Sequence, residues 1–458
     1  LNTPARLIVP PLDDEPFPSL GFEVIDYIEE NLCFGPGDLL GEPARLTDEL
    51  RLFLVRAYEV WPRGATNERG DDISGRRRFK RAFLSRRKGV GKTEIAAWVS
   101  IAELDPEAPV RCDGWRVHRG EWVPVGVGVH DAYVPMVAYT EEQTEELAYG
   151  AAYNIVQRCA IAERFNPTLE QIALVGAPGK ITALASSPSA RDGARTTFQN
   201  FDEPHLYVTE RLKKAHSTMQ RNIPKRYTAD AWSLYTSTMY GPGEESVAED
   251  VHQLALAIAQ GRAKGDTLYY DHRQAAESHD LTTNKGLRGA IEEASGDAYS
   301  FTDVDAIVAL FRDPAEDENE NRRYWLNQPR RSSRRWGLAP LWAPLADPGF
   351  VPEDGAEIVL GFDGSYTRDC TAIVGCTVDE TPRVFLINVW ERPPGNRAWR
   401  VPRGEVKDAV AAAMERWTVL EFCPDPPGWV SEIEEWEETY GEVVVRFDTN
   451  QPRRMGPA

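Results

Sequence analysis

Residues 82–94 read AFLSRRKGVGKTE. The apolar run 82–85 suits a buried strand, the glycine-bearing run after it a tight loop, and Thr93 through Leu104 a helix. That order is the setting of the phosphate-binding pattern G-x-x-x-x-G-K-[ST]. In it, backbone N–H groups cradle phosphates, a lysine reaches the terminal ones and a Ser or Thr hydroxyl holds magnesium. Gly91, Lys92 and Thr93 supply the second half of the pattern, and Gly89 adds freedom one step earlier. The first glycine belongs at position 86, where this chain has Arg86. Arg86, Arg87 and Lys88 put three cations on the loop, and a cation there could neutralise charge developing on a γ-phosphate.

Working outward, "VPMVAYT" (134–140) reads as a second buried strand and "EEQTEELAYGAAYNIVQRCA" (141–160) as an amphipathic helix. "ITALASSPSARDGARTTFQNFDEPHLY" (181–207) supplies strand-like pieces with Gly193 at a turn, and "WSLYTSTMY" (232–240) another strand. Strands alternating with helices imply an α/β fold with a mostly parallel, doubly wound sheet.

Two segments complete the chemistry of the loop. In "TTFQNFDEPHLY", Asp202 and Glu203 end a strand about 110 residues after Lys92. The first acid would hold the magnesium shell, and the second would orient or deprotonate the attacking water. In "YTSTM", the hydroxyls of Thr236, Ser237 and Thr238 at a strand end could sense the γ-phosphate and pass on its loss. ATP with Mg2+ is the expected ligand pair.

Further along, "IVLGFDGSYTRDCTAIV" (358–374) sets Asp363 at the end of an apolar strand, before a turn into the next. "TVLEFCPDPPGW" (418–429) sets Asp425 after a later strand, stiffened by Pro424, Pro426 and Pro427. Two carboxylates at adjacent strand ends are what Mg2+ or Mn2+ needs for phosphodiester hydrolysis. Glu391 is an alternative second ligand, Asp369 reads as a loop acid, and no third acid is evident.

These sites sit on different parts of the chain. Residues 1–45, rich in Pro, Gly and acid, read as an extended arm; 46–325 form the nucleotide domain, 326–355 a Pro, Arg and Trp-rich linker, and 356–458 an incomplete second domain. The nucleotide domain opens with a helix in "LTDELRLFLVRAYEVWP", capped by Thr47 and closed by Pro62. The second domain reads as an antiparallel three-stranded meander, a helix, the strand "TVLEFC", another helix and the strand "EVVVRF". The start at Leu1, without methionine or a signal pattern, reads as a processed or trimmed product.

Composition bounds the function. A length of 458 residues favours two domains, and 42% hydrophobic with 27% charged residues is ordinary for a globular chain without a membrane-spanning run. A net charge of −20 argues against a protein that coats nucleic acid over its whole surface, leaving local basic patches such as 75–88 and 328–336 to face phosphate. The six cysteines lack C-x-x-C spacing, which fits reduced thiols better than a disulfide framework.

With both sites in view, the chain resembles the large terminase subunit of tailed bacteriophages, the motor that packages viral DNA. The resemblance is carried by "SRRKGVGKTE", "AYTEEQTEE", "DGARTTFQNFDEPH", "TSTM", "RRYWLNQ" and "GFDGS". Terminases of this kind lack the first loop glycine and carry a basic residue in the loop. The resemblance implies a P-loop ATPase followed by an RNase H-like nuclease domain, with Lys92 and Thr93 as phosphate and magnesium contacts. It makes Asp202 the metal-shell acid, Glu203 the catalytic acid, Thr236, Ser237 and Thr238 the coupling motif, and Asp363 and Asp425 two nuclease ligands. It leaves open which of Arg86, Arg87 and Lys88 is the loop cation.

As implied partners it brings double-stranded DNA, the portal protein of the procapsid, a small terminase subunit and further copies of the chain in a ring. The setting would be the host bacterial cytoplasm and, transiently, the procapsid. The rivals from the residues alone are another nucleic-acid translocase or helicase, and an ATP-gated scaffold without DNA activity.

Overall fold

The computed structural model describes the chain except residues 1–3, 14, 138–147, 185–193, 266, 331–344, 348, 366–369, 392–398 and 450–458. Gly193 and Asp369 therefore lie outside the described residues, as do the first residues of the helix expected at 141–160. The chain divides into two compact units, Leu1–Arg334 and Arg335–Ala458.

The strands of the first unit are β1 (Arg6–Val9), β2 (Arg81–Ser85), β3 (Arg111–His118), β4 (Glu121–Val127), β5 (Ala132–Val137), β6 (Phe165–Pro167), β7 (Gln171–Leu174), β8 (Gly179–Leu184), β9 (Phe198–Asp202), β10 (Trp232–Ser237) and β11 (Leu268–Arg273). Nine of them make one sheet in the order β1-β11-β2-β10-β9-β5-β8-β7-β6. Its centre, from β11 to β8, is parallel throughout, and only β1, β7 and β6 pair antiparallel at the edges. Parallel strands covered on both faces must be apolar on both. Accordingly Ala82, Phe83, Leu84 and Ser85 are all buried, and so is every residue of β9 and β10.

One apolar cluster gathers the helices Gly21–Asn31, Asp48–Ala57, Lys92–Leu104 and Ala148–Val156, and a second gathers Glu210–Gln220 and Val247–Ala259. The helix expected after Leu46 is capped as read, Thr47 Oγ1 accepting from the Leu50 N–H, and it ends at Ala57.

Three expectations about this unit are corrected. Residues 1–45 are not an extended arm. β1 is an edge strand of the main sheet, and Val24, Ile25 and Ile28 of the helix Gly21–Asn31 are core residues. A linker starting at 326 is also too early, because Leu326, Asn327 and Gln328 are buried and Gln328 Nε2 donates to the Ala275 carbonyl at 3.0 Å. The basic run 75–88 is not an open phosphate-facing patch. Arg77 pairs with Glu103 at 2.9 Å, Arg78 with Asp13 and Glu59, Lys80 with Asp230, and Arg86 with Asp271 at 3.0 Å. The insertion β3–β4, a separate two-stranded hairpin, has no clear sequence signal.

The second unit holds β12 (Glu357–Asp363), β13 (Thr371–Thr377), β14 (Val384–Trp390) and β15 (Thr418–Pro424) in the order β14-β13-β12-β15. The first three form the expected antiparallel meander, and β15 returns parallel to β12 after the helix Arg403–Arg416. The final strand expected in "EVVVRF" is instead a single 3-10 turn and one bridge, Val444 to Phe422. Among the described residues no helix is long and apolar enough to cross a membrane.

Candidate active site

The loop after β2 turns straight into the helix Lys92–Leu104, whose N-cap Gly91 has φ 82°. Gly89 has φ 79°. Both positions favour glycine, because a side chain at such φ strains the backbone. The loop is pinned at two points: the Arg86 N–H donates to the Ser237 carbonyl at 3.0 Å, and the Lys88 N–H to the Tyr324 carbonyl at 2.8 Å.

β10 lies between β2 and β9, with Thr236 opposite Leu84 on one side and Asp202 on the other. The loop, the acid pair and the hydroxyl cluster therefore meet at one edge of the sheet, where parallel strands end. Ligands of open α/β sheets bind at this edge.

Lys92 is buried; its Nζ donates to the Arg87 carbonyl at 2.9 Å and lies 3.7 Å from Glu203 Oε1. Burial lowers the Lys92 pKa, and the charges of Glu203 and Asp202 oppose the shift. Glu203 sits in the left-handed region at φ 45°, ψ 53°, where a residue other than glycine stores strain. Its N–H is fixed by the Thr236 carbonyl at 2.8 Å. Its Oε2 accepts from the Thr238 N–H at 3.0 Å and lies 2.9 Å from His205 Nδ1. Burial pushes the Glu203 carboxyl up, but Lys92 and His205 outweigh it and hold it below the usual carboxylate range.

Asp202 behaves oppositely. Burial, then the neighbouring charge of Glu203, raises its pKa. Its Oδ1 accepts from the Thr236 hydroxyl at 2.9 Å, while the buried Oδ2 has no protein partner. A buried carboxylate oxygen without a donor is costly unless a cation meets it. The donor set of Asp202 therefore fits a magnesium ion, with the Thr93 hydroxyl the other oxygen that the loop pattern offers.

All three hydroxyl residues touch this pair or its neighbour: Thr236 bonds Asp202, Thr238 bonds Glu203, and Ser237 Oγ lies 3.2 Å from His205 Nδ1. His205 joins the candidate site in the structure and is missed by sequence reasoning; its place two residues after Glu203 is the signal available. Its Nδ1 is also 3.3 Å from Thr238 Oγ1. Ser237 donates its hydroxyl to the Thr238 carbonyl and Thr238 donates its own to Glu203. Both hydroxyls then present lone pairs to a proton on Nδ1, which fixes the tautomer.

The three loop cations take different places. Arg86 turns away from the loop into a buried pair with Asp271. Lys88 is exposed. Arg87 is buried against hydroxyls rather than acids; its Nε donates to Ser295 Oγ at 2.6 Å and its Nη2 to Thr302 Oγ1, and burial lowers its pKa to about 10.

In the second unit, Asp363 and Asp425 come out at neighbouring strand ends, since Phe362 pairs with Pro424 and the Asp425 N–H donates to the Phe362 carbonyl at 3.0 Å. Asp425 accepts from both the N–H and the hydroxyl of Thr449. Glu391 follows β14, separated from β12 by β13. Asp448 ends the segment whose Val445 and Phe447 N–H groups bond β15, and so reaches the same edge, although no third acid is evident from the sequence. Among the described residues no group of three acids, histidines or cysteines is arranged to hold a metal, so the donor set here does not make a complete two-metal site.

No protein-family model matches the chain. It is 26% identical to the gene 13 protein of Mycobacterium phage D29 over 415 residues, which are 83% of this chain and 67% of that protein. The gene 13 protein of Mycobacterium phage L5 is 25% identical over 414 residues, 83% of this chain and 68% of that one. Among solved structures, the large terminase of bacteriophage HK97 is similar with a TM-score of 0.49 and 16% identity, covering 96% of this chain and 87% of that one. The large terminase of a thermophilic bacteriophage follows at 0.33 and 10%, covering 81% and 78%. The chain is thus a relative of the gene 13 proteins of two mycobacteriophages, and in its motifs and their order it resembles the large terminase subunit of tailed bacteriophages.

Proposed function

We propose that this chain is the ATP-hydrolysing subunit of a viral DNA-packaging motor, moving double-stranded DNA into a procapsid. The observation that carries the reading is the meeting of Lys92, Asp202 and Glu203 at one sheet edge beside the glycine loop. Lys92 and the loop N–H groups bind the β- and γ-phosphates of ATP. Asp202 and Thr93 would hold Mg2+, which would supply charge neutralisation on the phosphates.

Glu203 takes a proton from a water whose oxygen attacks the γ-phosphorus. The bond to the β–γ bridging oxygen breaks, ADP leaves, and phosphate carries away the new P–O bond. His205 and Thr238 hold Oε2, so Oε1 faces Lys92 and the reacting water. Arg86 is committed to Asp271 and Lys88 is open to solvent, so Arg87, held beside Gly89 by Ser295, Thr302 and the Lys88 carbonyl, is the loop cation proposed to turn to the phosphates when ATP binds. Thr236, Ser237 and Thr238 report the protonation and position of the acid pair to β10.

The C-terminal unit is proposed as an RNase H-like nuclease on its strand order and on Asp363 and Asp425. Among the described residues the acids do not complete a metal site, so the reading of this unit stops at Asp363 and Asp425. A ring of copies on the portal protein, with a small terminase subunit recruiting DNA in the host cytoplasm, is the assembly this function needs. The test is ATP turnover with and without duplex DNA: a packaging motor is stimulated by DNA, whereas turnover indifferent to DNA and to procapsids favours an ATP-gated scaffold.

A further inference from the structure

The basic run 75–88 is largely paired within the fold, yet among the described residues a cationic face remains on the surface. Residues 210–226, ERLKKAHSTMQRNIPKR, hold six Arg or Lys and one acid on a chain of net charge −20. Residues Glu210–Gln220 form a helix that buries Leu212, Ala215 and Met219. Lys214 and Arg221 follow the opposite face, and Lys225 extends their line past the helix end; all three are exposed. From Lys214 to Arg221 the line runs about 10 Å, the length of about three base-pair steps at about 3.4 Å each. At its end Arg226 donates to the carbonyls of Asp131 and Arg195, beside a cleft that Lys180 and Arg195 also line.

Resting on the packaging reading, we propose that this face is a contact for the phosphate backbone of duplex DNA. Like-charged side chains aligned on a rigid helix repel one another unless an anion lies along them, and a polyanion of regular spacing offsets that cost. The contact is to duplex rather than single strands, because single-strand sites add aromatic platforms for bases. Among the described residues the exposed ring nearby, Tyr227, has Arg76 over its face at 3.6 Å.

The helix is also well placed to respond to nucleotide. It follows Glu203 by one short turn, and His216 Nε2 lies 2.8 Å from the Tyr235 hydroxyl, next to Thr236 on β10.

The test is binding of the full chain to a duplex of random sequence across a salt series. The triple variant Lys214→Ala, Arg221→Ala, Lys225→Ala is compared with the charge-keeping Lys214→Arg, Arg221→Lys, Lys225→Arg, with a thermal melt and ATP affinity as controls of folding. The expected result is a loss of about tenfold or more in duplex affinity for the alanine variant. The slope of log affinity against log salt should become shallower by about two to three, and the charge-keeping variant should bind like wild type. Unchanged affinity and slope in a folded alanine variant, or single-stranded DNA bound as tightly as duplex, overturns the inference. Wild-type chain that does not bind duplex at all overturns the packaging reading itself, a different outcome from the first.

Discussion

Lys92 and Glu203, more than a hundred residues apart in sequence, face each other across 3.7 Å, with Oε1 of the carboxylate toward the lysine and Oε2 turned to Thr238 and His205. The two oxygens of one carboxylate thus have separate duties. One is locked by the protein and the other looks toward Lys92 and the glycine loop.

Lys92→Ala should weaken ATP binding by roughly 10- to 100-fold, the worth of one or two charge-assisted hydrogen bonds. Equilibrium binding of a fluorescent ATP analogue reads this directly. Affinity within twofold of wild type would remove Lys92 from the phosphate site.

The arginines of the loop should separate cleanly. Arg86→Met strands part of the charge of Asp271 in the core and should cost about 3 kcal/mol of stability. Arg87→Met leaves no acid unpaired, and both hydroxyls it releases still donate to carbonyls, Ser295 to Ile291 and Thr302 to Ala298. Its melting temperature should hold or rise while ATP turnover drops by at least tenfold. A melt that ranks the two variants the other way would reverse the assignment.

Asp202 should make stability, and with it the proposed magnesium binding, pH-dependent. Its pKa is raised from 3.8 to about 7, so the folded chain binds a proton more readily than the unfolded one, and the associated stability is lost as pH rises through the folded value. Between about pH 5 and about pH 7 Glu203, held low, stays ionised and adds no slope. Without metal, wild type should lose stability relative to Asp202→Asn across that range. Mg2+ should raise the melting temperature more at about pH 8 than at about pH 6, in wild type only. Equal magnesium shifts in the two proteins would place the ion elsewhere.

His205→Ala should lower kcat by about 10- to 100-fold with KM for ATP within about twofold, because it leaves Oε2 to Thr238 alone without touching the phosphates. His205→Asn, whose amide N–H can stand where Nδ1–H does, should recover most of the rate. In a Glu203→Gln background His205→Ala should add little further loss. Independent, additive losses would mean that His205 does not act through Glu203.

Much of this is legible in the sequence because it is local. The apolar run 82–85, the GKT after it and the Asp-Glu pair at a strand end each report on their own few residues, and the alternation between them gives the parallel sheet. The misreadings concern partners distant in sequence. The basic run 75–88 resembles a surface patch until Glu59, Glu103, Asp230 and Asp271 are brought to it by the fold. Proline and acid in residues 1–45 mask Val24, Ile25 and Ile28, whose burial depends on a helix seated against Asp48–Ala57. His205 carries no pattern of its own, and its meaning arises only when β10 sets Ser237 and Thr238 beside it. Asp448 is likewise unreadable as a strand-edge acid until Val445 and Phe447 bond β15.

The most direct measurement is single-turnover ATP hydrolysis by Glu203→Gln, with nucleotide affinity determined on the same preparation. The account predicts ATP bound within a few-fold of wild type and a chemical step slowed by at least about 100-fold, since the amide cannot take the proton of the attacking water. Hydrolysis at the wild-type rate by a folded, ATP-bound Glu203→Gln chain would contradict it.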